Sequence, residues 1–192
     1  MRRLITGLLS VVAVISAPVL VATPAWSASQ SSTTITAILA SPSVASVREC
    51  YFLAPKELLQ VTYSDSGKLE SVSGTLEGHM TCPGRGSQTM ASLRDRVYLE
   101  LNGVRVASMA GQCRYRSGAR KPCRDVTTSR SYSCAQGVKC AGIYQAVANE
   151  YGMLPPGGHW EGRHPEHCAK HGRVASCRRR SMGLEVPAYV SG

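Results

Sequence analysis

The densest chemistry in the chain is His159-x4-His164-x2-His167-Cys168-x2-His171, which packs four of the five histidines into thirteen residues. Neutral imidazoles ligate Zn²⁺ and Cu²⁺, and three or four converging rings would make a metal site, with Glu161 or Glu166 able to add a carboxylate. The competing reading is a solvated polar loop beside Pro165 and Gly172, because loop spacing does not fix whether the rings converge. His164-Pro165-Glu166 also matches the H-x-E half of a zinc deaminase signature, but no P-C-x-x-C follows it.

A second set of residues is basic. One cluster runs through Arg114, Arg116, Arg120, Lys121 and Arg124, and another is Arg178-Arg179-Arg180. Such clusters attract polyanions: anionic extracellular polymers, acidic lipid head groups or nucleic acid. Nucleic acid is the least favoured, since only Tyr115 and Tyr132 lie among the basic residues to stack on bases. The plain alternative is a basic surface with no partner. The Arg114–Arg124 segment is also a candidate inhibitory loop for trypsin-like proteases. There is no G-x-S-x-G, H-E-x-x-H or Walker loop, so the expected class is a binding module and not an enzyme.

The elements that must hold these residues are β-strands. Leu59–Tyr63 is β-rich and ends at the turn Ser64-Asp65-Ser66-Gly67, and Leu69–Cys82 places Val72, Leu76, Met80 and Cys82 on one side of an alternating chain. Arg96–Leu101 and Val104–Ala107 flank Asn102-Gly103, a strong hairpin signal because both turn residues tolerate positive φ. Val97, Leu99 and Leu101 should face inward, and Arg96, Tyr98 and Glu100 outward. Arg114–Arg130 reads as a long loop tied by Cys113 and Cys123. Strands resume at Ser131–Cys134, Gly142–Ala148 and Arg173–Cys177, with a last edge strand in Gly183–Val190. Ala146–Met153 is the best helix rival, and it is short. The expected fold is all-β, an antiparallel sandwich of immunoglobulin-like or Greek-key type with long disulfide-tied loops.

Compartment follows from the N-terminus and the cysteines. Arg2-Arg3, an apolar run from Leu4 and the small residues Ala25 and Ser27 predict a signal peptide over residues 1–27. Its removal leaves 20 basic against 12 acidic residues, +8 in place of the +10 of the full 192-residue chain. Residues 28–47, rich in Ser and Thr, read as a flexible lead-in in which Thr34–Leu39 is a candidate strand, and residues 48–192 as one domain. Cys50, Cys82, Cys113, Cys123, Cys134, Cys140, Cys168 and Cys177 form an even set, the signature of a disulfide framework in an exported protein. Cys134–Cys140 and Cys168–Cys177 would close short loops, but the connectivity stays open.

Cys140-Ala141-Gly142-Ile143-Tyr144, followed by Leu154-Pro155-Pro156-Gly157, Trp160 and Cys168, resembles a pattern in small secreted actinobacterial proteins: a G-x-Y strand, a Leu-Pro-Pro-Gly turn, a nearby Trp and a closing Cys. The resemblance implies export and a β-sandwich, and no activity. The His-rich stretch and the basic tail depart from it. Gly142-Ile143-Tyr144 also resembles the tyrosine corner of immunoglobulin-like sandwiches, with Ala146 where the usual Cys would stand.

Overall fold

A computed structural model describes residues 32–39, 46–83, 90–115, 122–162 and 166–190. The expected signal segment lies outside them. The strands, in chain order, are β1 (Ser32–Leu39), β2 (Ser46–Leu53), β3 (Lys56–Tyr63), β4 (Leu69–Thr81), β5 (Ser92–Leu101), β6 (Val104–Arg114), β7 (Asp125–Cys134), β8 (Gly142–Met153), β9 (His159–Trp160), β10 (Cys168–His171), β11 (Val174–Arg180) and β12 (Leu184–Val186). A 3-10 turn over Gly137–Cys140 is the only helical piece among the described residues. They form two antiparallel sheets. In the first the order is β3-β4-β2-β1-β9, with β7 on β4; in the second it is β10-β11-β8-β5-β6, with β12 on β8. The fold is the expected all-β sandwich.

Local chemistry explains the framework. Asn102 and Gly103 both take positive φ (52° and 78°), and β5 and β6 pair on either side of them. Val97 and Leu99 are fully buried, as the alternation requires. Tyr98 is on the opposite, outer side, yet it is only 3% exposed. Arg105 lies over its ring, 4.3 Å from the centroid, and Arg178 Nη2 donates to its hydroxyl at 3.4 Å.

Three segments refine the sequence reading. The candidate strand Thr34–Leu39 is β1, which begins at Ser32 and pairs with β2 along its whole length. The expected strand Ser131–Cys134 is the end of a ten-residue strand, β7, whose first part, Asp125–Arg130, was expected as loop. The stretch Ala146–Met153 is strand, because β8 runs unbroken from Gly142 to Met153 between β5 on one side and β11 and β12 on the other.

All eight cysteines pair: Cys50–Cys82, Cys113–Cys123, Cys134–Cys140 and Cys168–Cys177. Cys168 and Cys177 are direct cross-strand partners on β10 and β11. The Tyr144 hydroxyl donates to the Cys140 carbonyl at 2.8 Å, the bond of a tyrosine corner, and the ring meets Tyr132 edge-on. Burial and the Tyr132 hydroxyl hold the Tyr144 phenol well above its ordinary pKa. Tyr144→Phe leaves the Cys140 carbonyl without its donor and should cost about 1–2 kcal/mol, read as a lower urea midpoint with unchanged slope.

The interior has two apolar lobes. One gathers Phe52, Met80, Met90, Leu93, Leu154 and Trp160 around three of the disulfides. The other gathers Leu69, Val72, Leu76, Val97, Leu99 and Tyr144 beside Cys134–Cys140. Between them Asp95 and Glu150, both fully buried, stand directly opposite each other on β5 and β8. Asp95 follows Leu93 and precedes Val97 in the inward phase of β5, so a polar layer crosses the core.

A candidate polyanion-binding face

Because strands alternate, the phase opposite the core forms the outer face of the second sheet. On β5 it carries Arg94, Arg96 and Glu100; on β6, Arg105, Gln112 and Arg114; on β8, Gln145, Asn149 and Tyr151; on β11, Arg178 and Arg180. All six arginines are exposed. Cross-strand pairing joins them into a continuous field: Arg96 faces Asn149, which faces Arg178. The single acid on these four strands' outer face, Glu100, is paired with Arg180 at 3.5 Å. Glu185 of β12 sits at the end remote from Arg94 and Arg114. Arg180 Nη1 also donates to Gln145 Oε1 at 2.9 Å, and Arg94 Nη2 to Gln112 Oε1 at 3.4 Å, so each of these two guanidinium groups has a neutral acceptor.

The sequence-predicted basic residues divide among several places. Arg114, Arg178 and Arg180 belong to this face. Arg179 does not: it shares the inward phase of β11 with Cys177, where its charge acts on Glu150. Arg124 follows the buried Cys123, its carbonyl accepting from the Cys82 N–H at 2.6 Å, on the side of the first sheet. Arg116, Arg120 and Lys121 lie outside the described residues, as does most of the candidate inhibitory loop. Arg94, Arg96 and Arg105 were not singled out from sequence, although the alternation did place Arg96 outward.

Three histidines of the sequence cluster are described, all on exposed segments. His159, on β9, is exposed and 3.5 Å from Glu161; His167, exposed at φ 66°, is 3.7 Å from Glu166; His171 ends β10, also exposed. His164 lies outside the described residues. Among the described residues no three His, Cys, Asp or Glu side chains gather as metal ligands, and every cysteine sulfur is in a disulfide.

The buried acids are a second arrangement of charge, one closed to solvent. Asp95 Oδ2 accepts from Thr128 Oγ1 at 2.9 Å, and Glu150 Oε1 from the Leu53 N–H at 3.2 Å, while Asp95 Oδ1 and Glu150 Oε2 have no hydrogen-bond partner. Burial, then the neighbouring Asp95, pushes the Glu150 carboxyl up to about 9, against the pull of the Leu53 N–H and Arg179. Burial pushes Asp95 up to about 6 against its Thr128 bond, and Glu57 up to about 7 against its bond to Ser181.

Comparison with protein-family models, curated proteins and solved structures finds no match.

Proposed function

We propose that this protein is a non-enzymatic extracellular module that binds an anionic polymer through the outer face of its second sheet. The observation that carries the reading is the gathering of Arg94, Arg96, Arg105, Arg114, Arg178 and Arg180 on one side of four paired strands, against one acid that is itself partnered. Arginine forks suit carboxylate, sulfate and phosphate groups, and a broad field of them accumulates polyanions by long-range attraction. Four disulfides fit an extracellular setting, and among the described residues no helix is long and apolar enough to cross a membrane. Export through residues 1–27 belongs to the same reading.

Arg94→Glu/Arg96→Glu/Arg114→Glu tests it on a heparin column and by titration with polyphosphate. The variant is expected to elute at markedly lower salt, and its plot of log affinity against log salt to flatten by roughly one unit per lost arginine contact. Lys68→Glu, in an exposed turn of the other sheet, should behave nearly as wild type. Equal weakening by both variants, or no salt-dependent binding by the wild type, overturns the proposal.

A further inference from the structure

The arginine field adjoins two depressions: one is lined by His167, Arg178, Arg179 and Arg180, and the other, at the end of Arg94 and Arg114, has apolar residues in its lining as well. The second is shallow and lined by Arg94, Gln112, Arg114, Tyr151, Met153 and Val174 among others. Its two cations lie on a diagonal. Arg94 is directly opposite Gln112, and Arg114 directly opposite Ser92, which sets their backbone positions about 7–8 Å apart. Gln112 Oε1 accepts from Arg94 at 3.4 Å, drawing that guanidinium toward the strand of Arg114. On its other side Arg94 is directly opposite Tyr151, and Val174 follows one row on, opposite Met153. Tyr151 is 44% exposed and Val174 36%, so both offer apolar surface to solvent here. The result is an apolar floor with two arginines at one rim.

We infer that this depression is a subsite for one sugar ring of an anionic polysaccharide, the ring's apolar face on Tyr151 and Val174 and its sulfate, phosphate or carboxylate group between Arg94 and Arg114. The inference rests on the proposed polyanion binding and narrows it to a class of polymer. A bare polyphosphate or an acidic peptide would use the arginines and leave the floor uncovered. A single nucleic-acid strand stacks successive bases on successive aromatics, and on the outer face of β5, β6, β8 and β11 Tyr151 is the one exposed aromatic: Tyr98 is closed over by Arg105, Tyr144 is in the core, and the exposed Tyr115 lies beyond the end of β6. One amphipathic ring beside a charged fork matches one pyranose with one charged substituent.

The experiment compares three ligands by calorimetry: a heparin-derived hexasaccharide, a polyphosphate and oligo-dT. Tyr151→Thr keeps a strand-favouring residue at an exposed position. It is expected to weaken the hexasaccharide about tenfold, a loss of one ordinary stacking contact, and to leave polyphosphate within about twofold. Tyr151→Trp should restore or tighten the hexasaccharide, and Arg94→Ser/Arg114→Ser should weaken hexasaccharide and polyphosphate together. If all three ligands bind but Tyr151→Thr weakens none, or weakens polyphosphate as much as the saccharide, the subsite is overturned while the polyanion face stands. Selective loss of oligo-dT assigns the floor to bases and overturns the saccharide. If wild type binds none of the three, the broader reading falls with it. Matching thermal melts and circular dichroism of the variants separate lost binding from lost folding.

Discussion

Glu150→Gln is expected to raise the melting temperature at pH 8 by about 5–10 °C and to change it little at pH 4. The sign follows from where the proton sits. Burial, and then Asp95, raise the folded-state pKa of Glu150 to about 9 from an ordinary 4.5. A raised carboxyl contributes stability that is complete below pH 4.5 and is lost as pH rises toward 9. Asp95 and Glu57, raised to about 6 and about 7, act in the same direction over the lower part of that window. The wild type should therefore melt at a lower temperature at pH 8 than at pH 5. Glutamine keeps the acceptor for the Leu53 N–H and adds an amide donor on the side of the acid pair. Each pKa unit is worth about 1.4 kcal/mol, so even half of the Glu150 displacement is several kcal/mol at pH 8. Melting curves of both proteins from pH 4 to 9 check this; parallel curves would show that the pair does not carry the buried proton described.

Gly78→Ala should be among the most damaging single methyl additions in the molecule, costing about 3 kcal/mol or more. Gly78 is the inward residue of β4 that faces the polar layer, between Leu76 of one lobe and Met80 of the other. A Cβ there overlaps Asp95 Oδ2 and Val97 Cγ2 and presses on Thr128 Oγ1 at 2.8 Å. None of these can retreat cheaply: Val97 is fully buried, and the Thr128–Asp95 hydrogen bond is the one the acid pair leans on. The expected readout is a fall in melting temperature of roughly 5–12 °C for a domain of this size, with the pH dependence also altered because Asp95 is displaced. A change of a degree or two would mean that β4 and β5 are not in the close register described. Gly103 is the natural comparison for open space, since nothing lies within 4 Å of a Cβ there.

Much of the scaffold was legible in the residues. Asn102-Gly103 fixed a hairpin by its tolerance of positive φ, the Leu69–Cys82 alternation named the buried side of β4, and Gly142-Ile143-Tyr144 marked a corner that closes on Cys140. The first part of β7, Asp125–Arg130, was hidden because its inward positions are Val126, Thr128 and Arg130, which carry no apolar period to read. Arg130, in that phase, escapes the core by donating to the Ser108 carbonyl on β6 at 2.6 Å. The basic face was hidden for a different reason. Charge read along the chain appears as runs, whereas a sheet assembles its surface from every second residue of several strands. Arg94 and Arg96 are separated by the buried Asp95, and their nearest cationic neighbour across β8 is Arg178, 82 residues after Arg96. Conversely the run Arg178-Arg179-Arg180 splits, because alternation turns its middle member inward. Asp95 did leave a trace: an acid in phase with Leu93, Val97 and Leu99. Its partner Glu150 left none while Ala146–Met153 had a helix as rival.

The layer of Asp95, Glu150, Thr128 and Gly78 bears on how the molecule comes apart. Side chains on either side of it pack within their own lobe, and in the layer itself Asp95 is joined to Thr128 by a hydrogen bond, while the β4–β7 and β5–β8 ladders run through it. Three covalent staples belong to one lobe and a single six-residue loop closure to the other. Side-chain packing between the lobes is thus interrupted at mid-molecule, and ionisation of the buried acids in alkaline solution acts at that place. In hydrogen exchange the strand segments bearing Leu76, Val97 and Tyr144 should open as one unit, and those bearing Phe52, Leu93 and Trp160 as another. At pH 5 the two should behave as one body; toward pH 9 they should separate into two foldons with their own opening energies.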